Sequence, residues 1–217
     1  MSDLAEQHRS ESMTAARPAD FPEYHSPPPD PMPLLHKWIE EAAELGVREP
    51  LALALATVDA TGQPSSRTVV VGAVTNVGLV IATHSTSRKA HDLRSNERAS
   101  GLLYWRETSQ QLQFEGRMIA LDEASSDRLW EKRPVFTHAM TVASEQSATL
   151  ADPAELRSRA AQLATGAPLP RPARYTAYEF VISAIEFWAN GTDRLHERLR
   201  YTRTPASAGW SWNRLQP

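Results

Sequence analysis

The chain has 217 residues, 41% of them hydrophobic and 23% charged, with a formal net charge of −3 and no cysteine. That length can bury a substantial core in one large domain or two small ones. The charge balance excludes the polybasic field that drives nonspecific binding to nucleic acid or acidic membranes. The missing cysteines exclude disulfides, thiolate metal sites, iron–sulfur clusters and cysteine nucleophiles. Residues 1–20 lack the apolar core of a signal peptide. The most apolar window, 69–82, is interrupted by Thr75-Asn76 and falls short of a membrane span. The expectation is a cytoplasmic protein with neither nucleic acid nor membrane as partner.

Seven of the sixteen prolines fall within the first 33 residues, where missing N–H donors and a fixed φ oppose helix and interior strand. Residues 1–28 therefore read as a mobile or draped arm and 29–217 as one domain. From Pro33, Leu34, Leu35, Trp38, Ile39, Ala42 and Leu45 recur at three- and four-residue spacing. That predicts an amphipathic helix with Gly46 as its stop. Strand patterns follow at Leu51–Val58, Ser66–Val74 and Leu79–Thr83, joined by short turns at residues 59–62 and 75–78. Ser87–Ser95 predicts a short helix with Ser87 as N-cap. Further strands are expected at Ala99–Trp105, Gln110–Leu121, Tyr175–Trp188, Leu195–Tyr201 and Trp210–Leu215, and helices at Asp122–Lys132 and Pro153–Ala164. The fold class is mainly β, a closed or split barrel with peripheral helices.

The common short motifs are missing. No two of the nine glycines are separated by a single residue, which excludes G-x-G-x-x-G, and no P-loop, G-x-S-x-G or H-E-x-x-H occurs. The seven histidines are scattered, so no metal site is expected. Four clusters carry chemistry instead. Arg67 opens an apolar strand. Ser85-Thr86-Ser87-Arg88-Lys89 puts hydroxyls and paired cations at a helix start, where free backbone N–H groups favour an anion. Ser144-Glu145-Gln146-Ser147 is a polar loop. On a strand, Arg194, His196 and Arg198 share one face, and they repel one another unless an anion or nearby acids such as Asp193 and Glu197 offset them.

In this order the clusters resemble the pyridoxamine 5′-phosphate oxidase family of FMN-dependent split-barrel enzymes. The matching pieces run from R-x-V-V at Arg67–Val70 and T-x-x-x-S-R-K at Thr83–Lys89, through Gln111 and Arg133-Pro134. They continue with the S-x-Q-S loop, Trp188, and R-L-H-x-R-L at Arg194–Leu199. The resemblance implies a homodimer with FMN at the subunit interface and residues 175–217 in dimerisation and in flavin and substrate contact. It implies FMN contacts from Arg67, Thr68, Val69, Val70, Ala82, Thr83, Ser87, Arg88, Lys89, Gln111, Gln146, Ser147, Trp188 and Arg198. Substrate contacts fall to Arg133, Thr137, Arg194 and His196. No protein group is expected to act as essential acid or base, since the flavin carries the chemistry.

Two positions depart from the vitamin-processing members. The lysine that grips their substrate's phosphate is Gly72 here, and a tyrosine sharing that grip is Leu129. The segments 104–111, 186–191, 195–201 and 214–217 are similar to the phenazine-biosynthesis branch of the family. That likeness implies dehydrogenation of partly reduced phenazine carboxylates, with dioxygen reduced to hydrogen peroxide. The alternatives are a pyridoxine/pyridoxamine 5′-phosphate oxidase and a flavin-binding protein without turnover.

Overall fold

The computed structural model describes residues 15–17, 19–191, 195–204 and 209–217. Its strands are β1 (Ala52–Val58), β2 (Pro64–Val74), β3 (Gly78–His84), β4 (Arg98–Trp105), β5 (Gln110–Ala120), β6 (Tyr175–Ala189), β7 (Glu197–Arg203) and β8 (Trp210–Arg214). Hydrogen bonds order them β3-β2-β1-β4-β5-β6-β7-β8, and β3 also pairs with β6. Six strands therefore close on themselves, which removes their unpaired edges, and β7 and β8 extend the sheet. The mainly β split barrel read from sequence is the fold observed.

The helices are α1 (Pro31–Glu44), α2 (Arg88–Ser95), α3 (Glu123–Lys132), α4 (His138–Ala143) and α5 (Pro153–Leu163). Helix α1 starts before Pro33, because Asp30 caps it by accepting from the Met32 N–H at 3.0 Å. Prolines are tolerated there, since the first turn leaves its N–H groups free anyway. It stops where expected, at Gly46 with φ +74°, a left-handed conformation that favours glycine. Ser87 and Asp122 cap α2 and α3. Helix α4 escapes the sequence reading because six residues are too few to display a period.

The chain packs as two compact units. The first comprises residues 1–55, 100–116 and 182–217. Its core is an aromatic cluster in which Trp38 meets Phe21 at 4.8 Å and Phe187 at 5.1 Å, both edge-on. Such pairs add about 0.5–1.5 kcal/mol each beyond area burial. Phe21 is buried although it belongs to the stretch read as an arm. Residues 21–28 are tied down further: the Tyr201 hydroxyl donates to Pro28 O at 3.0 Å, and Arg214 donates to the carbonyls of Tyr24 and His25. A 3₁₀ turn at Pro22–Tyr24 also forms within that proline-rich stretch. Residues 1–14 lie outside the described residues.

The second unit comprises residues 56–99 and 117–181. Strand β3 runs antiparallel to β6, from Gly78 opposite Val181 to His84 opposite Tyr175. Leu79, Ile81, Ala177 and Phe180 are fully buried along this pair. Between β2 and β3 the register slips, Val71 facing Ile81 and Ala73 facing Val80, so that Gly72 sits at a bulge. Trp130 of α3 stacks on His138 at 4.1 Å and meets Tyr175 edge-on at 5.0 Å. His138 is structural: one ring nitrogen meets Arg133 O and the other accepts from the Leu169 N–H.

Candidate active site

The second unit holds a cavity of about 420 Å³ whose lining includes Arg67, Lys89, Lys132 and Arg133 and no aspartate or glutamate. Thr68, Val69, Val70, Gly72, Ala82, Thr83, Leu129, Pro134, Gln146 and Tyr175 complete the wall. Strand β2 supplies Arg67 through Gly72, β3 supplies Ala82 and Thr83, and α2 supplies Lys89. Segments separated by about 60 residues thus converge on one cluster of cations, as their chemistry suggested.

Arg67 and Lys89 are braced by neutral groups. Arg67 donates to Thr57 Oγ1 at 2.8 Å and Ser65 Oγ at 2.5 Å. Both hydroxyls in turn donate to Asp92 Oδ2, at 2.6 and 3.1 Å, while Arg67 itself stays 3.8 Å from that carboxylate. Burial pulls the Arg67 guanidinium below its usual pKa, and Arg88 adds to this while Asp92 opposes it. Lys89 Nζ donates to Thr83 Oγ1 at 2.9 Å, Gln146 Oε1 at 3.2 Å and Ser87 Oγ at 3.4 Å. Its pKa is also lowered, by burial first and by Arg67 second. Cations destabilised by burial and by one another are relieved by an anion placed between them.

The 144–147 loop is clasped to this cluster. Gln146 Oε1 accepts from Thr83 Oγ1 at 2.9 Å, and Ser147 Oγ accepts from the Arg88 N–H at 3.1 Å. Ser147 takes a left-handed φ of +69° to do so. The Ser87 hydroxyl is occupied in capping α2, and the Arg88 side chain is exposed. Arg133 lines the cavity, with a buried Nε that lacks a partner among the described residues and with Cζ 5.8 Å above the Tyr175 ring. The Thr137 hydroxyl is committed to Pro134 O at 2.7 Å.

Gln111, Trp188, His196 and Arg198 belong to the first unit. Trp188 and Arg198 are register partners across β6 and β7. Arg198 Nε donates to the buried carboxylate of Glu186 at 2.7 Å, and its Nη1 donates to Gln216 O at 2.8 Å. Among the described residues, the acid that pairs with Arg198 is Glu186 on the neighbouring strand rather than Glu197, which lies 3.9 Å from His25. Strand β7 begins at Glu197, so His196 precedes it and does not alternate with Arg198 on a strand face. The His196 ring packs 4.8 Å from Trp188 and accepts the Gly191 N–H. Arg194 and Asp193 lie outside the described residues.

Sequence reasoning passed over Lys132, Tyr175, Asp92, His84 and Glu186. An acid inside the apolar run Ile185-Glu186-Phe187-Trp188 was a usable signal, because a buried carboxylate needs a cation opposite it. The others carry no mark in the sequence.

The donor set suits a phosphate dianion, which takes up several charge-assisted bonds at once. Comparison with known proteins identifies the family. Residues 39–167 match the family described as Pyridoxamine 5′-phosphate oxidase, and residues 175–217 match its C-terminal dimerisation region. The chain belongs to the pyridoxamine 5′-phosphate oxidase family and is a flavin-dependent oxidase. It is 48% identical over 209 residues to the dihydrophenazinedicarboxylate synthase of Pseudomonas chlororaphis, covering 96% of this chain and 93% of that one. Identity is 46% over 210 residues to the synthase of Burkholderia lata, covering 96% and 98%. It falls to 41% over 192 residues, 87% and 90% of the two chains, for a pyridoxine/pyridoxamine 5′-phosphate oxidase of Burkholderia vietnamiensis. The crystal structure of PhzG from Burkholderia lata in complex with tetrahydrophenazine-1-carboxylic acid superposes with a TM-score of 0.88 at 46% identity, covering 92% and 98%.

Proposed function

We propose that the protein is an FMN-dependent oxidase that dehydrogenates partly reduced phenazine carboxylates, with dioxygen as acceptor and hydrogen peroxide as product. The observation that carries this reading is the make-up of one cavity: four cations without a carboxylate, beside a wall where Gly72 and Leu129 meet. A Cβ on Gly72 would lie 3.1 Å from Leu129 Cδ2, so the leucine occupies the space in which a lysine at position 72 would begin. An apolar wall suits a polycycle and offers nothing to a second phosphate.

In this reading Arg67 and Lys89 hold the FMN phosphate, and Gln146, Ser147 and the start of α2 complete its cradle. Thr68, Val69, Val70, Ala82 and Thr83 line the flavin, and Gln111, Trp188 and Arg198 hold its ring. The chemistry supplied by bound FMN is acceptance of a hydride from the substrate ring and delivery of two electrons to dioxygen. The chain's own residues bind and orient. Arg133, with its unpartnered buried Nε, and His196 steer the carboxylates, and aromatisation of the product makes the reaction downhill without a protein acid or base. We propose a homodimer with FMN at the subunit interface; residues 175–217, matched to the dimerisation region, include Trp188, His196 and Arg198.

The test is anaerobic titration of the FMN-loaded protein with a reduced phenazine carboxylate, followed by kcat/KM for that substrate and for pyridoxine 5′-phosphate. Bleaching of the flavin and preference for the phenazine are expected. Efficient turnover of pyridoxine 5′-phosphate would transfer the assignment to the vitamin oxidases, and a flavin that stays oxidised under both would leave a binding protein.

A further inference from the structure

His84, the last residue of β3, is 1% exposed and is absent from the cavity wall. Its Nδ1 accepts from the backbone N–H of Gln146 at 3.3 Å. A nitrogen that accepts is unprotonated, so the ring proton of the neutral imidazole resides on Nε2. That Nε2 is buried without a partner among the described residues. An orphaned polar atom in a closed interior is costly, and its retention points to the value of the bond made by the other nitrogen.

Gln146 is the residue on which the cradle converges. Its side chain accepts from Thr83 and Lys89, and the next residue, Ser147, accepts from the first N–H of α2. The start of the same loop is held separately, by Arg174, whose guanidinium donates to the carbonyls of Val142 and Ser144 at 2.5 and 2.8 Å. Between these two ends, the Gln146 backbone is held to β3 through the imidazole of His84.

We propose that His84 is a positioning residue of the anion cavity: through Nδ1 it fixes the Gln146 backbone, and with it the Gln146 and Ser147 side chains that brace Lys89 and the start of α2. Among the described residues, the charged groups facing the ring include the cations Arg174, Lys89 and Arg133 and the acid Glu145. Burial and this ring of cations hold the imidazole neutral, which keeps Nδ1 available as an acceptor. Occupancy of the cavity by FMN rests on the function proposed above; the hold on Gln146 does not.

Two readouts test it, one on the flavin-free protein and one on FMN binding. Asparagine carries Oδ1 one bond beyond Cγ, as histidine carries Nδ1, so His84→Asn retains an acceptor in place. His84→Gln sets its acceptor one bond further out, and His84→Ala has none. Hydrogen exchange at the Gln146 amide in flavin-free protein is expected to quicken at least tenfold in the glutamine and alanine variants and to remain near wild type in the asparagine variant. FMN dissociation constants from fluorescence titration should follow, rising about tenfold in the first two and within twofold of wild type in the third. Should the alanine variant fail to fold, the asparagine and glutamine pair decides the matter. Equal protection of Gln146 in every variant overturns the proposal. So does quickened exchange with unchanged FMN affinity, or an asparagine variant that behaves like glutamine. A wild-type protein that takes up no FMN sinks the flavin reading instead, and the exchange rates then decide whether His84 holds Gln146.

Discussion

The two arginine environments of this molecule differ in one respect. Arg198 in the first unit has a buried carboxylate of its own, Glu186, at 2.7 Å. The cavity of the second unit gathers four cations and no carboxylate in its wall, and Asp92, 3.8 Å from Arg67, is shared with two hydroxyls. A paired guanidinium presents directed donors with little net charge, as a neutral ring system requires. Cations braced by hydroxyls and amides keep their charge for an incoming dianion. The same residue type thus stands directly paired in one unit and braced mainly by hydroxyls in the other, which is the division of roles proposed for the flavin ring and its phosphate.

The sharpest way to break this contrast is to measure stability. Removing one partner of a buried ion pair leaves the other uncompensated, so Glu186→Ala should lower the unfolding free energy by about 3–4 kcal/mol in urea titrations. Lys89→Met should leave stability unchanged or raise it, because that cation is desolvated without an acid to offset it. Equal losses in the two variants would mean that the cavity cations are structural.

Acid should act on the second unit through His84, whose pKa falls from 6.5 to about 4, chiefly through burial and then through Arg174, Lys89 and Arg133. The unfolded ring binds a proton below pH 6.5 while the folded ring stays neutral. The contribution is therefore fully present above 6.5, is lost as pH falls toward 4, and levels off below that. The expected loss from His84 is about 3 kcal/mol over that window. The difference between wild type and His84→Asn in urea midpoints at pH 7 and pH 4.5 measures it, and parallel curves would refute it.

Affinity for FMN sharpens the comparison within the cradle. Charge-assisted bonds contribute about 1.5–3 kcal/mol, so Lys89→Met should weaken FMN roughly 10- to 100-fold in fluorescence titrations of flavin-free protein. The exposed Arg88 should matter less, with Arg88→Ala costing only a few-fold. A larger effect at Arg88 would place the phosphate outside the cavity described.

The last comparison concerns Gly72 and Leu129, which touch through the space of a missing side chain. Gly72→Lys with Leu129→Tyr should raise kcat/KM for pyridoxine 5′-phosphate about tenfold and lower it for the phenazine by a similar factor. Because the two positions are in contact, the single variants should not add up to the double. Strict additivity across the cycle would show that the two positions act separately.

Much of this architecture was readable in the chain itself. Strand patterns and turn residues set each strand to within two positions, and Ser87 and Gly46 marked a helix start and a helix stop, because these are local properties of backbone and side chain. The R-x-V-V and S-R-K runs marked Arg67 and Lys89, which the fold brings to one cavity. Tertiary structure alone decided which groups stand behind those runs. Asp92 reads as one more polar residue of a short helix, yet it sits beneath Thr57 and Ser65 and orients Arg67. His84 looks like the end of a strand, yet one ring nitrogen holds a loop 62 residues away. Gly72 and Leu129 are separate departures in the sequence and a single wall in the fold. Spacing along a chain reports what one element presents on its face. Which charge is neutralised, which hydroxyl is already occupied and which gap is filled depend on side chains from distant elements, and only their packing sets those distances.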